Sequence, residues 1–293
     1  MVTIVAGFKC DGGIVLCADT QETAGAAKKN VTKLQVHHGF FNPLSGEKDR
    51  RFAAAFCGAG DGPFIDKLLN EVWAAIRWCE SLSDACVIAE SKIKSTYEEY
   101  GRIFQNGLCP QVDLLYGITM DEFSCLFSAT GPVVNDVTDY ISGGAGYYLS
   151  DFIASRMYSP SMNVKLGVTL AAYILLQCKE HVEGCGGESH IAVLRESGKS
   201  GYVATSIVQE ITDFLYESDP EIGKFLLSVA DLDVSQTCLN KLTKDLTKTL
   251  TSKRAFHIDR LGKYRQFLRA NDEQLGLTKE RDELNISEDH LGI

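Results

Sequence analysis

Residues 3–25 read TIVAGFKCDGGIVLCADTQETAG, and the fold turns on how this stretch pairs with itself. Val, Ile and Phe crowd both TIVAGF and GIVLCAD, and such side chains favour pleated backbone. Asp11-Gly12 stands between the two runs, a two-residue signal for a tight hairpin. Antiparallel pairing about that turn brings Asp19, at the end of the second strand, back beside Thr3 at the start of the first.

Further strands are expected at residues 33–38 (KLQVHH) and 51–58 (RFAAAFCG), joined by a loop holding Asn42-Pro43 and Gly46. Two helices follow. Residues 63–79 begin with Pro63, whose missing N–H costs nothing in a first turn. Residues 83–104 begin with Ser83 as the capping residue and Asp84 in the first turn. Strand patterns return at 112–120, 123–129 and 133–142, then helices at 147–157 and 163–182, then strands at 190–197 and 201–207. Strands and helices come in blocks, without the β–α alternation of a parallel sheet. Two antiparallel sheets face to face with helix pairs outside are the arrangement this order fits.

From about residue 208 the pattern becomes helical with mixed charge, so a domain of residues 1–207 and a helical, charged C-terminal extension of 208–293 are expected. Residues 235–270 hold nine Lys or Arg against two acids, a net of +7, and 271–293 hold seven acids against two bases, a net of −5. A solvated basic face screened by the acidic tail accounts for this without nucleic acid.

The whole chain of 293 residues carries a net charge of −10, which argues against nucleic acid as a partner. Ten cysteines form no C-x-x-C pair, so neither a metal knuckle nor thioredoxin chemistry is expected. Several lie in apolar runs, as small buried thiols do in reducing surroundings. The start lacks a signal-peptide pattern, and the longest apolar run, residues 166–178, is too short to span a bilayer. A cytoplasmic protein with no membrane partner is expected, needing neither cofactor nor metal.

The glycine turn CGAGDGPF (57–64) lies between a strand and a helix, but Pro63 stands where a dinucleotide fingerprint needs its third glycine. Cys185 and His190 are close in sequence, yet nothing in their spacing enforces a nucleophile–base dyad. The hairpin is richer. Thr3 and Asp19 meet by register, Lys33 opens the next strand, and Gly58 closes another with an N–H free to face outward. A hydroxyl, a carboxylate–ammonium pair and a backbone donor are the parts of an acyl-transfer site. Each also has a plainer role, Asp19 as a turn former and Lys33 as a surface charge.

These residues also carry a resemblance. TIVAGFKCDGGIVLCADTQETAG (3–25), NVTKL (30–34) and FAAAFCGAGDGPF (52–64) resemble the proteasome β-subunit and bacterial proteasome-like peptidase family. The likeness continues more weakly through VDLLYGITMDE (112–122), ISGGAGYY (141–148) and GCGGESHIAVL (184–194). It implies an α+β fold, the four-layer α-β-β-α sandwich of N-terminal-nucleophile (Ntn) hydrolases, and a threonine-type endopeptidase. Thr3 would be the nucleophile, Lys33 would act on it by its charge, Asp19 would hold Lys33 ionised, and the Gly58 N–H would serve the oxyanion. The base would be the α-amine of Thr3, which requires removal of Met1-Val2 because an amide nitrogen has no useful basicity. Auxiliary positions fall on Gly146, where the family has serine, and on Glu183 and Cys185, with Val182 where it has aspartate. Phe56 and Lys29 fall where its first specificity pocket is lined. The implied partners are a protein or peptide substrate and further copies in a homo-oligomeric ring or other proteasome-like subunits. The sequence names no ATPase regulator. The alternative is a non-catalytic ring scaffold.

Overall fold

A computed structural model of the chain describes residues 3–24, 27–39, 52–103, 109–197 and 199–275. Met1, Val2 and the bond between Val2 and Thr3 lie outside the described residues, as do Asn42, Pro43, Gly46 and the acidic residues beyond 275. The chain divides into two compact units, Met1–Val203 and Ala204–Ile293.

In the first unit, β1 (Ile4–Cys10) and β2 (Gly13–Asp19) pair antiparallel about Asp11-Gly12, with Val5 opposite Ala18 and Cys10 opposite Gly13. This is the register the opening stretch predicts. Next comes a small hairpin, β3 (Gln21–Ala24) with β4 (Ala27–Asn30), which the sequence reading took only as motif. β5 (Leu34–His38) follows as expected, but β6 (Phe52–Gly60) runs two residues past its expected end, so Gly58 lies inside the strand, held in the β7 ladder, and does not close it. The helix α1 (Gly62–Ile76) is capped by the Asp61 carboxylate, which accepts from the Phe64 N–H at 2.9 Å. Ser81, not Ser83, caps α2 (Leu82–Ile103), accepting from the Asp84 N–H at 3.0 Å. Both serines precede an acidic first turn, and only the backbone path selects between them.

β7 (Val112–Met120) and β8 (Phe123–Thr130) come next. The single strand expected over 133–142 is two, β9 (Val133–Val137) and β10 (Tyr140–Gly144). β9 pairs with β8 while β10 pairs with β1, so the chain passes from one sheet to the other at Thr138-Asp139. Strand propensity runs through the whole segment and carries no record of which partner each half takes. Helices α3 (Tyr147–Met157) and α4 (Val164–His181) lead to β11 (Ser189–Arg195) and the short β12 (Ser200–Tyr202). The strand expected over 201–207 ends at Tyr202, and β-branched Thr205 and Ile207 enter a helix instead, an override of local preference by context.

The strands form two five-stranded antiparallel sheets, ordered β10-β1-β2-β11-β12 and β5-β6-β7-β8-β9. Val5, Ile14, Leu16 and Ala18 of the first mingle in one apolar cluster with Ala53, Ala55, Leu115 and Leu126 of the second. Phe56, Tyr116 and Ile118 point the other way, into a second cluster with Phe64, Leu68, Leu69 and Ile93 of α1 and α2. α4 lies close on β1 and β2, with Val168, Ala171, Ala172 and Leu175 buried. Each fully buried Leu, Ile or Phe contributes about 1.5–3 kcal/mol, which sets the sheets and helices in register.

The second unit holds α5 (Thr205–Ala230) and α6 (Gln236–Leu275). His257 of α6 is buried against α5, its Nδ1 2.7 Å from Glu210 Oε2, and Arg260 reaches Glu210 at 3.1 Å. The basic residues 235–270 therefore fall on α6.

Candidate active site

Thr3 precedes β1, Asp19 ends β2 and Lys33 precedes β5. The hairpin β3–β4 carries the chain out from Asp19 and back, with Gln21 opposite Asn30 and the Val31 N–H donating to the Thr20 carbonyl at 2.8 Å. That return delivers Lys33 to Asp19. Thr3, Asp19 and Lys33 are 0%, 0% and 6% exposed, so the three polar side chains meet in the interior.

The Lys33 ammonium donates to the Thr3 hydroxyl, to Asp19 Oδ1 at 2.7 Å and to the Gln21 carbonyl. The Thr3 hydroxyl donates to Asp19 Oδ1. Asp19 also receives the Ile4 N–H on Oδ1 at 3.3 Å and the Gly186 N–H on Oδ2 at 2.9 Å. Burying two opposite charges is tolerable when each keeps hydrogen-bonding partners, and here every ammonium proton and both carboxylate oxygens have one.

Gly58 lies in β6 opposite Leu114. The pairing of β6 with β5 stops at Cys57, so Gly58 is past the last β5 partner, on the side toward Lys33. Cys185 is buried after α4, and burial with the Asp19 carboxylate, against the Lys33 ammonium, pushes its thiol up to about 12. It is a neutral neighbour of the ion pair. Glu183 is exposed, and among the described residues no hydrogen bond or ion pair joins it to Thr3, Asp19 or Lys33. His190 turns to Glu188 at 3.5 Å and forms no pair with Cys185 among the described residues. The pocket expectation for Phe56 is corrected as well. Phe56 is fully buried in the helix-side core against Tyr116, and Lys29 pairs with Glu22 at 3.1 Å. Side chains alternate along a strand, and Phe56 falls on the side away from the first sheet.

Two glycines hold Thr3 from behind: Gly146, expected only as an auxiliary position standing where the family has serine, and Gly144, which the sequence reading did not single out. The Gly146 N–H donates to the Thr3 carbonyl at 3.2 Å, and a Cβ at 146 would stand 2.9 Å from Ile4 Cβ. Gly144 has φ +81°, and its Cβ would stand 2.4 Å from the Thr3 carbonyl oxygen. Only glycine fits there. Gly144→Ala is expected to cost about 2 kcal/mol or more in a urea denaturation, since left-handed backbone and an overlap with main chain add. The run SGGAG (142–146) was the available signal.

No protein-family model and no curated protein matches the chain. Solved structures do. Anbu, described as an ancestral β-subunit, from Yersinia bercovieri is 14% identical, covers 80% of this chain and 99% of its own, and has a TM-score of 0.60. An Anbu (Gly-1) mutant from Hyphomicrobium sp. strain MC1 is 12% identical over 76% of this chain and 96% of its own, with a TM-score of 0.59. The helical assembly of the Anbu complex from Pseudomonas aeruginosa matches at 14% identity over 73% and 94%, with a TM-score of 0.57. The chain has the fold of the Anbu proteins. At these identities the likeness is one of fold, and it corrects the family expected above, because Anbu is distinct from the proteasome β-subunit. The motifs behind that expectation encode a hairpin, a returning lysine and a glycine turn, which specify a fold and not one family within it. Among the described residues no helix is long and apolar enough to cross a membrane, and no group of three or more His, Cys, Asp or Glu could hold a metal ion.

Proposed function

We propose that the chain is a threonine-type endopeptidase in which Thr3, freed at its nitrogen, attacks a peptide carbonyl. The observation behind this is the buried Thr3 hydroxyl held between the Lys33 ammonium and the Asp19 carboxylate. A scaffold has no need of an ion pair that is costly to bury, whereas a nucleophile gains from a cation beside its oxygen.

In the proposed reaction the Val2–Thr3 bond is cut first, by the chain itself or by another protease. The released α-amine, with a reference pKa of about 7.7–8.0, takes the hydroxyl proton. Lys33 stabilises the developing alkoxide, Asp19 balances Lys33, and the Gly58 N–H donates to the oxyanion. Residues 1–207 act as a four-layer Ntn-hydrolase sandwich, and 208–293 as a helical extension. Substrates are proteins or peptides, and the chain assembles with further copies of itself in a homo-oligomeric ring or with other proteasome-like subunits. The Anbu complex of Pseudomonas aeruginosa, solved as a helical assembly, lends support to self-association.

Intact-mass measurement on purified protein tests the first step. The expected mass is that of a chain beginning at Thr3. A mass still including Val2 overturns the threonine mechanism.

A second reading, a non-catalytic subunit, draws on Gly146. No side chain fits between Ile4 and Cys178 Sγ there, so the auxiliary serine is missing and Gly146→Ser is not a repair. That substitution is expected to lower stability by about 1–3 kcal/mol without raising turnover of a fluorogenic peptide. A gain in turnover would instead make the missing serine the limiting feature of an enzyme.

A further inference from the structure

Far from Thr3 in sequence, α2 and β8 bring two thiols together. Cys125 of β8 stands opposite Ile118 of β7, and paired residues share a face, so Cys125 points with Ile118 toward the helices. Cys86 of α2 packs on that same helix-side cluster. The thiols are within hydrogen-bonding reach of each other. Neither is closed off, since both positions are half-buried while Cys17, Cys57 and Cys178 are buried.

Two further observations mark the pair. Tyr116 is fully buried on the same face, near Cys86, and its hydroxyl has no hydrogen-bond partner among the described residues. A buried hydroxyl without a partner is unusual and marks this face as incompletely satisfied. The two thiols also differ in acidity. The Cys86 contact and then the Lys9 ammonium bring Cys125 down to about 7, against burial and the Asp136 carboxylate. Cys86 is pushed up by the Cys125 contact and by burial. The contact and the Lys9 ammonium thus favour the charged form on Cys125 over Cys86.

We propose that Cys125 and Cys86 are a hydroperoxide-oxidised dithiol, with Cys125 attacked first and Cys86 resolving it into a disulfide that ties α2 to β8. The Cys125 thiolate displaces water from hydrogen peroxide with uptake of one proton, giving a sulfenic acid. The Cys86 thiol then attacks that sulfur, the S–S bond forms, and the sulfenic oxygen leaves as a second water. Two thiols and one peroxide give one disulfide and two waters.

The test is non-reducing peptide mapping of the full chain after brief treatment with a few equivalents of hydrogen peroxide and alkylation. A Cys86–Cys125 cross-link is expected, with two of the ten thiols lost and recovered by dithiothreitol. The melting temperature is expected to rise by about 5–10 °C on oxidation, because a link between these elements restricts the unfolded chain. In Cys86→Ser, dimedone should trap Cys125 as sulfenic acid. In Cys125→Ser, thiol loss should slow at least about tenfold. A folded, oxidised chain without that cross-link overturns the proposal, as does one that links Cys79 in place of Cys86. Thiol loss unchanged in Cys125→Ser overturns the order of attack.

Discussion

Thr3→Ala is expected to lower kcat/KM for peptide hydrolysis by at least about 10³-fold while leaving the chain folded. The two halves of this result follow from the same geometry. Alanine removes the hydroxyl that lies between Lys33 and Asp19, but the ammonium and carboxylate still meet at 2.7 Å and keep the Gln21 carbonyl and Gly186 N–H as partners. No buried charge is orphaned, so the stability change should stay near the roughly 1 kcal/mol of an ordinary hydrogen bond. Thr3→Ser retains the oxygen and should keep a measurable part of the rate. The same variants separate the routes to the free amine. If the chain cuts itself, Thr3→Ala retains Met1-Val2 in its intact mass; if another protease does, the dipeptide is lost from that variant too. Turnover unchanged in Thr3→Ala sinks the proposed mechanism outright.

The opening stretch made most of this site legible, and the reason is local. A two-residue turn fixes register, and register alone set Asp19 beside Thr3. Lys33 was legible only in part. Its return depends on the β3–β4 hairpin, which the segment QETAG does not announce because polar residues there alternate without an apolar face. Gly146 was legible as an auxiliary position and Gly144 was not, and the closeness of both to the Thr3 carbonyl comes from the pairing of β10 with β1, a contact made across most of the unit. Phe56 shows the converse error. A position taken from a motif says which strand a residue occupies, and the pleat decides which face it presents. Long-range pairing also explains the division of 133–142, where one uninterrupted strand pattern serves two sheets.

Lys33→Met carries the largest expected effect on the fold itself. Methionine follows the lysine stem closely in shape, so packing against the surrounding backbone is kept and what is removed is the charge. Asp19 would then lie wholly buried with only the Ile4 and Gly186 N–H groups and the Thr3 hydroxyl to balance it. A buried charge stripped of its counter-ion costs about 3–5 kcal/mol, which for a unit of this size is a fall in melting temperature of about 10 °C or more. Asp19→Asn leaves the ammonium in the mirror position and should also destabilise, though the Gln21 carbonyl and an amide oxygen still accept from it. The decisive measurement is the double variant. With both charges gone there is nothing left to orphan, so Asp19→Asn with Lys33→Met should be more stable than Lys33→Met alone. The non-additivity should be of order 2 kcal/mol in urea denaturation. Strict additivity would mean that the two side chains do not balance one another. The physical ground for reading Thr3 as a primed nucleophile would go with it.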